Sequence, residues 1–293
     1  MRIKGSYVAL VTPMYEDGSI NFEEFGRLID YHIEKKTDGL VILGTTGEST
    51  TLTHEEDEKI VEFVVKYANK RIPIIAGSGS NTSLVAKVQS QKFEKMGVDA
   101  LLVITPYYNK TNKRGMLEHF LLVANNVNIP IILYNVPGRT GCNIDVDVVA
   151  ELSKHKNIIG IKEASGNISY IAKIAKYVNE DFCIVSGNDD MIVPVLSMGG
   201  VGVISVAANI LPNEMHNLVM NYLEGKTKEA LDIQLKYLDL INALFIETNP
   251  IPIKEAMNYL GFHVGGYRLP LTYMDPKNKE ILVKCLSILG GKK

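Results

Sequence analysis

The sequence contains no apolar run approaching the roughly 18 residues a membrane-spanning helix requires, which excludes an integral helical membrane protein. It has almost no net charge, 31 Lys and Arg against 33 Asp and Glu. That balance leaves no electrostatic footprint for sequence-independent nucleic-acid binding. With 46% hydrophobic residues it also excludes a disordered chain. Cysteine is scarce: Cys142, Cys183 and Cys285 lie far apart, with no CxxC, as expected in a reducing compartment. The histidines at positions 32, 54, 119, 155, 216 and 263 show no ligand spacing, so no metal is expected. The stretch from His54 to Glu58 is not HExxH, and Gly77-Ser78-Gly79-Ser80-Asn81 lacks the third glycine of a dinucleotide fingerprint. P-loop and GxSxG motifs are missing, as are low-complexity stretches and flexible linkers. The N-terminal apolar stretch Tyr7–Val11 is shorter than a signal peptide's core, so a cytoplasmic protein is expected.

What is present is a period. The runs SYVALV, GLVIL, IPIIA, ALLVI, PIILY, NIIGI, FCIV and GVISV each end in small or polar residues and precede a longer amphipathic segment. The earlier intervals are about thirty residues, the repeat of a barrel of eight βα units. Continuous apolarity suits strands buried on both faces. FEEFGRLIDYHIEKK reads as a helix with Phe22, Phe25, Leu28, Ile29 and His32 or Ile33 on one face. HEEDEKIVEFVVKYANK carries acids in its first turn and lysine in its last, matching the helix dipole. The period predicts an α/β fold, a (β/α)8 TIM barrel over 1–224; a doubly wound open sheet is the alternative. Beyond a helix near 213–223 and a break at Gly225-Lys226, strand signals stop. KTKEALDIQLKYLDLINALF, PIPIKEAMNYLG and KNKEILVKCLSIL predict a three-helix C-terminal extension over 225–293.

In such a barrel, chemistry sits at the C-terminal strand ends. These carry Gly44-Thr45-Thr46-Gly47-Glu48, Tyr107-Tyr108, Tyr134 to Thr140, Lys162-Glu163, Ser186-Gly187-Asn188 and Ile204-Ser205. Lys162 ends the apolar run IIGI, where desolvation would disfavour its ammonium and suit it to Schiff-base chemistry. A strand-end lysine reaching solvent is the other reading. Tyr134 lies one βα unit earlier and is either a proton shuttle beside Lys162 or a core aromatic with its hydroxyl at the rim. Gly44 to Gly47 reads as a backbone cradle for a carboxylate or as a tight turn. Arg139 can grip a carboxylate in a bidentate pair or simply lie on the surface. Tyr107-Tyr108 suits a subunit interface or a site lid.

The combination GTTGEST (44–50), TPYYNK (105–110), YNVPGRTG (134–141) and IIGIKEASGN (158–167) resembles the dihydrodipicolinate synthase family of pyruvate-dependent lyases. SGNDD (186–190), GVISVAAN (202–209), NPIPIK (249–254) and RLPL (268–271) extend the resemblance from end to end. It implies that Lys162 condenses with pyruvate and that the resulting enamine attacks L-aspartate 4-semialdehyde, in the diaminopimelate route to lysine. It further implies a proton relay of Thr45, Tyr134 and Tyr108, the last supplied by a neighbouring subunit. Pyruvate's carboxylate would lie on Thr45 and Thr46, with Gly187 and Ile204 completing the pocket, and Arg139 would hold the second substrate. No cofactor is implied, because the lysine is the electron sink, and the usual assembly is a homotetramer, a dimer of dimers.

Pyruvate aldolases such as N-acetylneuraminate lyase share GxTGE, the tyrosine and the lysine but generally lack the arginine, so Arg139 favours the synthase. An aldolase for a 2-keto-3-deoxy sugar acid remains the nearest alternative, and a non-catalytic keto-acid-binding barrel the next. The resemblance also implies a lysine effector site at Ser49, His54, Gly79, Asn81 and Tyr107. Asp57 and Val85 depart from the inhibited pattern, which carries His and Glu there, so weak or absent lysine inhibition is expected.

Overall fold

The β-branched and aliphatic runs become eight parallel strands in the computed structural model, which describes residues 3–290. They are β1 (Gly5–Ala9), β2 (Gly39–Ile42), β3 (Ile74–Gly77), β4 (Ala100–Ile104), β5 (Ile131–Asn135), β6 (Ile158–Glu163), β7 (Cys183–Ser186) and β8 (Gly202–Ser205). Each pairs with its sequence neighbours, and β8 pairs back onto β1 with Tyr7 level with Ile204. That pairing closes the barrel and removes the open-sheet alternative. Nearly every strand position is buried, because the inward side chains fill the barrel and the outward ones meet the surrounding helices.

The helices form where the sequence supplies both an apolar stripe and a start signal. Phe22–Glu34 is capped by the Asn21 side chain and buries Phe25, Leu28, Ile29 and His32 against the strands. His54–Ala68 begins with a capping box: the Thr53 hydroxyl accepts from the Glu56 N–H, and the Glu56 carboxylate accepts from the Thr53 N–H. Such a cap contributes about 1 kcal/mol. The helix expected near 213–223 starts with a proline at its first position and runs Pro212–Leu223.

Two features depart from the simple period. One is a register shift between β5 and β6: Ile131 is level with Ile158, but Ile132 is level with Gly160, leaving Ile159 without a partner. This bulge brings Lys162, rather than Ile161, level with Tyr134. The other lies in the extension, whose described residues form four α-helices where three helices are expected. The stretch read as one helix over 226–245 is divided at Tyr237 (φ −100°, ψ 4°) into Thr227–Lys236 and Leu238–Ala243. No proline or glycine marks the break, and the apolar spacing reads through it. Ile251–Tyr259 and Pro276–Leu286 follow. Among the described residues no helix is long and apolar enough to cross a membrane.

Candidate active site

Lys162 ends the apolar part of β6 with its side chain in the barrel mouth, only 6% exposed. Its Nζ lies 4.3 Å from the centroid of the Tyr134 ring. Among the described residues this amine makes no hydrogen bond to the chain. The room for it depends on Gly187: a Cβ there would lie 2.6 Å from the Ala164 side chain and 3.1 Å from Lys162 Cε. Any larger residue would push the lysine aside.

Tyr134 is as buried as Lys162, and its hydroxyl is 3.5 Å from Thr45 Oγ1. Thr45 sits in the turn after β2, where Gly47 N–H bonds the Gly44 carbonyl and Glu48 N–H bonds the Thr45 carbonyl. Among the described residues the N–H groups of Thr45 and Thr46 have no intramolecular acceptor. Two such donors side by side are what a carboxylate requires. Ile204 is fully buried in β8. The segment just after β8 is held by Asp189, whose Oδ2 accepts from the N–H groups of Val206 at 3.0 Å and Ala207 at 2.9 Å. Burial raises that carboxyl above the ordinary carboxylate range.

One residue further along the strands, the opposite face is tied down. Glu163, level with Asn135, accepts from the Asn135 amide at 2.7 Å and from the Ser165 N–H at 2.6 Å. Asn135 also donates to Asn143 at 2.7 Å. Desolvation lifts the Glu163 carboxyl above its usual range. This cross-strand pair fixes the ends of β5 and β6, and with them the separation of Tyr134 and Lys162.

A cavity of about 430 Å³ is lined by Thr45, Tyr134, Arg139 and Asn249, among others, whereas Lys162, Thr46, Gly187 and Ile204 are not part of its lining. Arg139 is exposed on the short helix Pro137–Thr140 and donates through Nη2 to the Asn249 carbonyl at 2.9 Å. Its remaining N–H groups are available to an anion. Tyr108 does not join this cluster: it has φ +71° and is 93% exposed. The same cavity continues past Ser49, His54, Gly79, Tyr107 and Val85, whereas Asn81 lines a separate groove with Asn109 and His119. Asp57, also lining the cavity, accepts from Gln89 at 2.8 Å and lies 3.7 Å from His54. Burial pushes its carboxyl up to about 6.

Residue-by-residue reading passes over Asn249, Lys254 and Asp189, and gives Glu48 no role beyond its place at a strand end. Asn249 is 6% exposed, donates to Thr46 Oγ1 at 3.0 Å and leaves its Oδ1 without a partner. Lys254 is fully buried and bonds Glu48 at 2.8 Å. Both belong to NPIPIK, so the motif was visible in the sequence, while its contact with the turn after β2 was not.

A model of the dihydrodipicolinate synthetase family matches residues 2–289. The chain is 55% identical over 279 residues to 4-hydroxy-tetrahydrodipicolinate synthase 1 of Clostridium acetobutylicum, covering 95% of each. It is 54% identical over 287 residues to 4-hydroxy-tetrahydrodipicolinate synthase of Caldicellulosiruptor saccharolyticus, covering 98% of this chain and 97% of the other. The crystal structure of dihydrodipicolinate synthase from Aquifex aeolicus matches with a TM-score of 0.96 at 44% identity, covering 98% of both chains.

Proposed function

Because this chain belongs to the dihydrodipicolinate synthetase family, we infer that it is a Schiff-base-forming lyase condensing pyruvate with L-aspartate 4-semialdehyde, the 4-hydroxy-tetrahydrodipicolinate synthase reaction. The observation that carries the mechanism is the amine of Lys162, desolvated and without a hydrogen bond, beside the ring of Tyr134. An amine that no acceptor engages, beside a phenol, is the nucleophile that imine chemistry needs. It adds to the ketone carbon of pyruvate, and the carbinolamine loses water to give an imine. Loss of a methyl proton gives the enamine, whose carbon attacks the aldehyde of the second substrate. That substrate's own amino group then displaces Lys162 as the ring closes.

Each step moves protons, and Tyr134 with Thr45 at 3.5 Å supplies a relay between the nitrogen and the reacting oxygens. The unpartnered N–H groups of Thr45 and Thr46 hold the pyruvate carboxylate, with Gly187 and Ile204 forming the rest of the pocket. Tyr108 completes the relay in a neighbouring copy of the chain, a role its exposure supports, and the assembly we propose is a homotetramer. We take 1–224 as the catalytic barrel and 225–293 as an extension packed on it.

Incubation with pyruvate and borohydride tests this reading. A reduced pyruvyl adduct mapped to Lys162 by intact mass and peptide analysis is expected; a folded protein that remains unmodified would leave only a keto-acid-binding barrel. A coupled assay with aspartate semialdehyde then separates the synthase from an aldolase for a sugar acid.

Arg139 is proposed to hold the semialdehyde's carboxylate. Arg139→Ala is expected to trap pyruvate as well as the wild type while raising KM for the semialdehyde about 10- to 100-fold, the scale of a lost charge-assisted bond. Unchanged steady-state kinetics for the second substrate would contradict that role. We also propose that L-lysine inhibits weakly or not at all. Val85 offers no charge to an ammonium, and Asp57 is already engaged by Gln89. Half-inhibition at submillimolar lysine would overturn this.

A further inference from the structure

Two residues of the most extended motifs have no part in the chemistry above, yet they meet in the interior. Glu48, which closes GTTGE, and Lys254, which closes NPIPIK, lie 206 positions apart, and both side chains have no solvent exposure. Lys254 Nζ bonds Glu48 Oε1 at 2.8 Å and reaches the carbonyls of Thr12 and Gly266. A buried pair of this kind gives little net stability compared with apolar residues of the same size, so its presence calls for another explanation.

The backbone of the turn provides one. Glu48 has φ +56° and ψ 31°, a left-handed conformation that a glutamate rarely adopts without external support. Its own N–H bonds the Thr45 carbonyl, so this conformation sets the course of residues 45 to 48. Three consecutive residues are each anchored from outside. Thr46 is held by Asn249 at 3.0 Å, Gly47 by the Thr12 hydroxyl at 2.7 Å and Glu48 by Lys254. Thr12 is also a partner of Lys254, so two of the three anchors converge on one amine. Thr45, which faces Tyr134, lies just beyond them.

We propose that Glu48 and Lys254 are positioning residues for the keto-acid site: their ion pair holds the left-handed turn that aims the N–H groups of Thr45 and Thr46 at the substrate carboxylate. The proposal rests on the assignment of that turn as the pyruvate cradle. It makes the C-terminal extension part of substrate binding, although it contributes no atom to the reaction.

Three variants test it: Glu48→Gln, Lys254→Met and the double variant. Each single change leaves a buried group without its partner and is expected to lower Tm by about 10 °C. The double change removes both charges and is expected to recover most of that loss. Pyruvate affinity, read from KM and from the pyruvate dependence of borohydride trapping, should fall about 10- to 100-fold in the single variants. It should stay low in the double variant, with kcat at saturating pyruvate and KM for the semialdehyde changed far less. A stably folded double variant with wild-type pyruvate affinity would show that the pair serves only charge balance and would overturn the proposal. If wild-type protein traps no pyruvate, the assignment of the cradle fails, and the role of the pair fails with it.

Discussion

Lys162→Ala is expected to give no borohydride-stable pyruvate adduct and to lower kcat by on the order of 10⁴- to 10⁶-fold, as when an enzyme loses its nucleophile. Lys254, a buried lysine elsewhere in the chain, is committed to Glu48 and two carbonyls on the far side of the turn. Binding need not fail with the chemistry, because Thr45 and Thr46 are untouched, and pyruvate should still protect the variant against thermal unfolding. The fold should gain rather than lose. In the wild type a lysine is confined at 6% exposure with, among the described residues, no hydrogen bond to the chain; the Tyr134 ring, worth about 0.5–2 kcal/mol, and the charge interaction with buried Asp189 offset its desolvation only in part. Lys162→Met, which keeps the volume and removes the desolvated amine, is therefore expected to melt no lower than the wild type. A differential scanning measurement showing several degrees of destabilisation would mean that Lys162 holds the barrel together.

Tyr134→Phe is the second large effect. Its ring stays packed against Lys162 at the level set by the β5–β6 pairing, so the aromatic contact and the pocket shape survive. What is lost is the hydroxyl 3.5 Å from Thr45 Oγ1. Loss of a positioned acid–base group typically costs 10²- to 10⁴-fold, and kcat is expected to fall on that scale. The adduct should still form, but slowly, so rapid-quench trapping should show a slower approach to the same end point. KM for pyruvate should change little. A variant with wild-type trapping rate and kcat would reduce Tyr134 to a wall of the pocket.

The strand runs, and the residues at their C-terminal ends, were readable because both depend on contiguous sequence. A parallel strand buried on both faces is apolar along its whole length, and polar residues at its end stand out. Thr45, Tyr134 and Lys162 are legible as candidates for that reason, and the closed barrel brings them together. The bulge at Ile159 was not legible, since IIGI is apolar whichever residue is left unpaired. The division at Tyr237 also left no mark, because a local change of ψ needs no breaker residue. The ties that hold the site were hidden by distance. Asn249 reaches Thr46, and Arg268 reaches Glu56, whose carboxyl it holds down at about 2, from more than 200 positions away. Single-chain reading supplies the residue types of such pairs but not their partners.

The unpaired Ile159 gives β6 one residue of slack in its length. A chain lacking one residue here could still bring its lysine opposite the tyrosine by running straight, from Ile158 directly into Gly160. A chain lacking two could not. Its alternation would turn over, and the lysine would point outward to the helices while the glutamate that follows it faced the barrel. Single deletions upstream of Lys162 should therefore be absorbed where double deletions abolish the site, and insertions and deletions in this strand should be counted against that one spare residue.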